Sequence, residues 1–196
     1  DGTGLTNNWS EAANWDTGVV PGAADTVTFN ATSIKDSIVD PAFGGTITNL
    51  NINSGYTGVI TLGRSLTIAG AFSQSAGAFQ GSNYTLDING AFTVSGGVFT
   101  APTATMFVGG NWTHTLGGTF NANAGTVVFD SGTDTIDVLG AETFNNLTFA
   151  NGTKTIALGD ALIAEGTLTL TDGSINTGTV NARGNIIQAS TFDGGS

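Results

Sequence analysis

Hydrophobic and polar residues alternate along short stretches of the chain. Leu66 and Ile68 flank Thr67, and the same apolar–polar–apolar order returns at residues 86–88 and 106–108 with one change, Phe107 in the polar position. A period of two is typical of a β-strand with one buried face. No segment combines a helical spacing of apolar residues with capping residues. The pattern therefore predicts an all-β fold with almost no helix.

The stretches themselves repeat every 20 residues. The equivalent positions form three series: Leu66, Leu86, Met106 and Val127; Phe72, Phe92 and Trp112; and Phe79, Phe99 and Phe120. A unit of this length cannot bury its own apolar face, but stacked units can. We therefore predict a right-handed parallel β-helix (β-solenoid) with turns of about 20 residues, stacked in about eight or nine turns. Each series should form an interior ladder, with corners at Gly70, Gly90 and Gly110. An antiparallel sandwich would explain the short strands but not their repetition.

A longer similarity lies over the short one. Residues 26–29, 49–52 and 60–66 resemble residues 126–129, 146–149 and 156–162 at offsets of 100, 97 and 96 residues. We interpret these offsets as about five turns. We divide the chain into an N-terminal capping segment with the first strand, residues 1–29, and solenoid turns in residues 30–196. The turn pattern runs on to the terminus, so we expect it to continue there.

The composition excludes several classes of partner. Four basic residues face fifteen acidic ones, which gives a net charge of −11. Nucleic acid binding requires clustered Lys and Arg and is therefore excluded, and anionic lipid surfaces are disfavoured. No apolar run is long enough for a transmembrane helix, so we expect no membrane insertion. The chain has no Cys, which removes disulfides and thiolate metal sites.

Candidate chemistry is sparse. His114 is the single histidine, and neither a second His nor a Gly-x-Ser-x-Gly motif accompanies it, so a surface strand position is favoured over a catalytic one. Asp130, Asp134 and Asp137 form the best carboxylate group. An acid/base pair or a Ca²⁺ site is conceivable there, but Lys154 and Arg183 stand isolated and no calcium-loop spacing is present. We favour solvated loop carboxylates and expect no catalytic residue, cofactor or metal.

The aromatic residues outside the Phe series have two interpretations each. Trp112 continues the ladder of Phe72 and Phe92, which favours a core position over a sugar platform. Trp9 and Trp15 are expected to cover the open first turn, with a glycan platform as the alternative. Phe107 takes the outward parity, where an exposed aromatic would mark a contact. Thr67, Asp87 and Phe107 form no threonine ladder of the ice-binding kind.

Several sequence segments resemble those of a known class of protein. Residues 8–10, 14–16, 21–22 and 25–29, which read Asn-Trp-Ser, Asn-Trp-Asp, Pro-Gly and Asp-Thr-Val-Thr-Phe, look like the opening motif of large bacterial β-helical surface proteins. Residues 144–149 and 166–170 are similar to their repeats. The resemblance, to autotransporter- and hemagglutinin-like adhesins and surface-layer or matrix proteins, implies an extracellular or cell-surface location and no catalytic residues.

From these observations we expect a non-catalytic structural or adhesive scaffold of a bacterial surface, stalk, filament or matrix. The expected partners are copies of itself or neighbouring solenoid turns, stacked end to end, with surface glycans as a further possibility. The alternative is a carbohydrate-binding or polysaccharide-processing β-helix protein. That alternative requires a groove lined by exposed aromatics and paired carboxylates.

Overall fold

The computed structural model describes residues 4–195 as a stack of short parallel β-strands. A single 3-10 turn, Ala12–Asn14, is the helical element of this part of the chain. The strands are β1 (Thr26–Phe29), β2 (Ser37–Val39), β3 (Thr46–Ile47), β4 (Asn49–Ile52), β5 (Val59–Leu62), β6 (Leu66–Ile68), β7 (Phe72–Gln80), β8 (Leu86–Ile88), β9 (Phe92–Thr100), β10 (Thr105–Val108), β11 (Trp112–His114), β12 (Gly118–Asn121), β13 (Thr126–Phe129), β14 (Asp134–Asp137), β15 (Ala141–Phe144), β16 (Asn146–Phe149), β17 (Thr153–Ile156), β18 (Ala161–Ala164), β19 (Leu168–Leu170), β20 (Gly173–Asn176), β21 (Thr179–Ala182), β22 (Ile186–Gln188) and β23 (Phe192–Gly195).

The strands wind into a solenoid with three sides. The first side is the sheet β1-β4-β7-β9-β11-β14-β17-β20-β23, and the third side is the eight-stranded sheet from β3 to β22. The second side lies between them in chain order: β2, β5, the ends of β7 and β9, and β12, followed by the separate sheet β15-β18-β21. One third-side strand per turn gives eight turns, and β23 begins a further layer. The predicted parallel β-solenoid is confirmed.

The predicted ladders lie in the core in the expected register. Leu66 pairs with Leu86, Leu86 with Met106 and Met106 with Val127. The Phe79 and Phe99 rings stack with centroids 5.0 Å apart, and Phe99 stacks on Phe120 at 5.9 Å. Such ring pairs add stability beyond the area that they bury. Stacked turns therefore supply each other's core, as the repeat indicated.

The predicted glycine corners bring backbones close together. A Cβ atom added at Gly90 would lie 2.7 Å from the backbone of Gly70, and one added at Gly110 would lie 2.6 Å from the backbone of Gly90. Backbone cannot yield at these distances, so only glycine fits these stacked corners.

The longer similarity spans about five turns, as expected, but not a whole number of them. β1 and β4 lie on the first side, whereas the similar strands β13 and β16 lie on the third side. β5 lies on the second side and its counterpart β17 on the first. Each match thus spans four full turns and two further sides, because the three sides present the same pleated, half-buried environment to the sequence. Similar strands can therefore occupy different sides.

The second side is interrupted once within the stack. β12 pairs with β9, and β15 pairs with β18, but β12 and β15 are not paired with each other. Phe120 and Phe144 still contact across this gap, with ring centroids 5.6 Å apart. We call the gap between β12 and β15 the seam. The core continues through the seam although the hydrogen-bonded ladder does not.

Candidate functional site

The acidic loop predicted as solvated is partly a buried ion pair. Lys154 lies inside the solenoid with its side chain 0% exposed, and its Nζ donates to Asp134 Oδ2 at 2.8 Å. The carbonyl oxygens of Ser131 and Gly132 accept its other two hydrogen bonds, at 2.5 and 2.8 Å. Lys154 is therefore not isolated, and Asp134 is not a free carboxylate.

The other two carboxylates of this group remain exposed. Partial burial of the carboxyl group and the nearby Asp87 carboxylate raise the pKa of Asp130, while Asp137 projects from the outer face of β14. Within residues 4–195 no group of three or more His, Cys, Asp or Glu side chains is placed to hold a metal ion. The arrangement offers a single structural ion pair and no convergent carboxylates.

The prediction of a surface position for His114 is wrong. His114 ends β11 in register with the core residue Val94, and its Nδ1 lies 2.6 Å from Glu142 Oε2. The two side chains are 13% and 7% exposed. They connect consecutive turns beside the seam, where the ladder hydrogen bonds of the second side are interrupted. This pair fixes the two turns to each other.

Two polar atoms beside this pair have no hydrogen-bond partner. His114 Nε2 and the indole nitrogen of Trp112 are buried and unpaired within the described chain. Burial raises the pKa of Glu142, while His114 opposes that rise. The Trp112 side chain also opposes this rise in the pKa of Glu142.

Sequence reasoning missed the inward position of His114, Glu142 and Lys154, yet the sequence contained a signal for it. His114 follows the core residue Trp112 by two positions, and Glu142 precedes the core residue Phe144 by two. Lys154 stands in the same relation to Ile156. Residues two apart on a strand share a face, so each of these three side chains is expected to face inward like its core neighbour.

Trp9 and Trp112 belong to the core, and Trp15 packs against it. Trp112 packs on Phe92 with centroids 4.2 Å apart and is buried, as its place in the ladder predicted. Trp9 is buried over the first turn, and Trp15 packs edge-on against it at 5.4 Å. The predicted cover of the first turn is confirmed. Phe107 is in register with Asp87 on the outer face but is only partly exposed, so it does not present a fully open aromatic surface.

Hydrogen bonds hold this cover on the end of the solenoid. The Ile38 N–H in β2 donates to the Asn7 carbonyl at 2.8 Å, and the Trp9 N–H donates to the Ile38 carbonyl at 2.9 Å. Asp40 accepts from the Ser10 N–H and hydroxyl at 2.9 and 2.8 Å. Burial opposes ionisation of Asp40, but these bonds prevail and lower its pKa.

A groove lies beside this cover. It has a volume of about 440 Å³ and is lined by parts of residues 14–21, by β1 and by residues 30–33. A smaller cavity of about 110 Å³ adjoins it and shares Trp15 and Phe29 in its lining. The larger volume falls within the range of about 300–1,000 Å³ that is usual for ligand sites. The groove is the larger of these two cavities.

The last turn contrasts with the covered first turn. β21, β22 and β23 are each paired on one side only among the described strands. Leu168 is 5% exposed, whereas Ile186, its partner in the next layer, is 61% exposed. The interior ladder of the third side therefore ends on an uncovered isoleucine.

The comparisons with known proteins leave the chain without an assigned relative. No protein-family model, no curated protein and no solved structure matches it. In the described part of the chain, no helix has the length and apolar character needed to cross a membrane. The geometry of the two ends is thus the basis for a functional proposal.

Proposed function

We propose that this chain is a non-catalytic structural or adhesive scaffold of a bacterial surface or extracellular matrix. The last turn carries the proposal. Three parallel strand edges are unpaired there among residues 4–195, and Ile186 continues an interior ladder into solvent. Unpaired edges pair readily with another chain. A surface of this kind fits another solenoid turn better than it fits a small molecule.

Three further observations support this role. Two pairs of inward side chains link consecutive turns, Lys154 with Asp134 and His114 with Glu142. The eight stacked turns give an elongated body with a rise of about 4.8 Å per turn. The chain is rich in Asn, Thr and Gly and poor in basic residues, which is in keeping with the resemblance to extracellular β-helical proteins.

The occupant that we propose for the last turn is a second copy of the chain. At the first end, residues 7–9 already cover the edge of β2, so a head-to-tail contact would reach only part of that end. The last turns of two copies present identical strand edges and apolar ladders to each other. A contact between identical surfaces closes as a two-fold pair and does not propagate into a filament. The copies therefore meet end to end at their last turns.

Sedimentation velocity over a wide concentration range tests this proposal. The expected result is a reversible monomer–dimer equilibrium, which Ile186→Lys abolishes by placing a charge on the uncovered ladder. Leu116→Lys is the matched control, because Leu116 is also strongly exposed, at 86%, but lies on β11–β12 and far from the last turn. Monomers at every concentration, or equal loss of association in both variants, contradict the proposed contact. Assemblies larger than dimers contradict the two-fold arrangement.

A further inference from the structure

The groove at the first end has an unpaired strand edge as its floor. β1 is the end strand of its sheet and pairs only with β4 among the described residues. The Asp25 carbonyl accepts from the Thr48 N–H and the Phe29 carbonyl from the Asn53 N–H. The odd-numbered residues therefore direct their backbone groups towards β4. Because alternate residues of a parallel strand bond to opposite neighbours, the N–H and C=O groups of Thr26 and Thr28 point away from β4.

The next even-numbered residue supports this assignment. The Asn30 N–H is satisfied on the free side of the strand by Ser33 Oγ, at 3.0 Å. Val27 and Phe29 also line the groove, although they are only 2% and 7% exposed. Thr26 and Thr28 themselves are among the lining residues of the groove. The free polar groups of Thr26 and Thr28 are thus presented to the groove.

The neighbouring edge shows how such groups are satisfied in this chain. Residues 7–9 run as an extended segment along β2, with an isolated parallel bridge between Asn8 and Ile38. The Ile38 N–H and C=O both take part in hydrogen bonds to that segment. No described segment does the same for β1. The two edges lie at the same end of the solenoid, and one is covered while the other is open.

We propose that the groove binds an extended peptide segment, which adds to β1 as a further strand. The N–H and C=O groups of Thr26 and Thr28 supply the hydrogen bonds, as in other cases of strand addition to a sheet edge. The segment comes from another protein and carries cationic or uncharged side chains. Asp16 and Asp25 line the groove, and no Lys or Arg is among its lining residues.

Charge disfavours a second copy of this chain as the occupant. The chain has a net charge of −11, so the approach of another copy to an acidic groove is repulsive. A saccharide is also disfavoured, because Trp15 is used by the fold. Its indole N–H donates to the Trp9 carbonyl at 2.8 Å, and its ring packs against Trp9 and Phe29. The site does not depend on the proposed scaffold role or on the last turn.

Fluorescence anisotropy with defined peptides tests the proposal. The probe is a labelled eight-residue peptide of alternating threonine and valine with a lysine at each end and with blocked termini. We expect saturable binding by the full chain. Two further peptides carry N-methyl groups at alternate residues, one peptide for each edge of the strand. They remove backbone donors from the peptide while the protein stays the same. At least one methylated form should bind at least about tenfold more weakly, because each lost hydrogen bond costs about 0.5–1.5 kcal/mol.

Two variants at one position locate the site. Thr28→Pro removes an N–H that faces the groove and keeps the ladder with β4, since edge strands tolerate proline where the N–H points outward. Binding should weaken by about two- to twelvefold, the effect of one lost hydrogen bond. Thr28→Ala retains the N–H and should bind within about twofold of the parent chain. Circular dichroism and thermal unfolding check that both variants are folded.

Several results would overturn the proposal. These are the absence of saturable peptide binding, equal binding of the parent and every methylated peptide, or equal binding by the proline and alanine variants. A glutamate-flanked version of the peptide should bind more weakly than the lysine-flanked one at low salt, and the reverse order contradicts the charge argument. Binding of a neutral oligosaccharide from a test panel, without binding of the peptide, would assign the groove to a sugar. None of these outcomes affects the dimerisation test at Ile186.

Discussion

At the first end of the solenoid the chain folds over its own first turn, whereas no described residue covers the last one. Trp9 at the first end is 1% exposed, and Ile186 at the last end is 61% exposed. Both are large apolar residues on the line of an interior ladder. Their difference shows that burial in this fold comes from the neighbouring layer and not from the turn itself. The contribution of a residue to stability thus depends on whether a solenoid layer lies on each side of it.

The largest effect should come from a residue with layers on both sides. Phe99 is fully buried and contacts rings above and below it, at Phe79 and Phe120. Phe99→Ala should lower the free energy of unfolding by about 3–5 kcal/mol, because it leaves a cavity in a core that cannot collapse. Urea denaturation measures this loss. Phe107→Ala, on the outer face, should cost less than about 1 kcal/mol, and equal losses would contradict the inward and outward assignment.

The two ends themselves should respond differently to the same change. Trp9→Ala removes the ring that packs on Phe29 and Phe43 and should cost about 3 kcal/mol. Ile186→Ala removes atoms that are already solvated and should cost less than about 1 kcal/mol in the monomer. Denaturation at low protein concentration keeps association out of the measurement. If Ile186→Ala costs as much as Trp9→Ala, the last turn is covered in solution and the comparison fails.

Replacing the buried Lys154 should lower the free energy of unfolding about as much as replacing a buried aromatic ring, because all three of its hydrogen-bond donors are used. Lys154→Met leaves Asp134 and the carbonyls of Ser131 and Gly132 without their shared donor, and we expect a loss of about 3 kcal/mol. Arg183→Met is the control, because its ion pair with Glu165 is largely exposed and exposed pairs contribute little. Chemical denaturation of both variants gives the difference. A loss at Lys154 no greater than at Arg183 would show that the inner pair is hydrated.

The smallest effect should be a change with pH in the stability that Glu142 contributes beside the seam. Burial raises the pKa of Glu142 above its ordinary value of 4.5, so the folded chain keeps this proton at pH values where the unfolded chain has lost it. The group therefore adds stability at acid pH, and this contribution declines as the pH rises from 4.5 through the raised pKa.

The difference in unfolding free energy between the parent chain and Glu142→Gln isolates this contribution. As the pH rises between about 4 and 7, the parent chain should lose stability relative to the Glu142→Gln variant. Glu165→Gln, at an exposed position, should show no such trend. A constant difference at Glu142, or one that moves in favour of the parent chain, would contradict the raised pKa.

Period and parity were enough to predict most of the fold. The spacing of Phe79 and Phe99 predicted a stack, and the structure places their rings in contact. The seam could not be predicted in this way, because β12 and β15 each carry an ordinary strand pattern. Only the pairing of whole strands shows that the two are not neighbours in a ladder. Local pattern determines which face a residue takes but not which layer lies beside it.

The candidate sites show the same limit. Parity could have placed His114 and Glu142 inside, but 28 residues separate them, which does not fit a strict turn of about 20. The groove along β1 has no motif in the sequence at all. It results from the absence of a covering segment on one strand, and backbone groups that are left unpaired carry no signature in residue types. Such a site is visible only once the pairing of every edge is known.

The stacked glycine corners and matched ladders make the chain adjustable in length by whole steps. Leu66, Leu86 and Met106 occupy the same place in successive turns, so removal of residues 86–105 would join Thr85 to Met106 at an equivalent point. The shortened protein would lose one ring from each aromatic ladder and about 4.8 Å of length, while both ends kept their surfaces. A gene for such a protein can gain or lose segments of this size in frame without a new fold having to be found. The distance between the two ends is therefore a quantity that mutation can vary independently of what each end does.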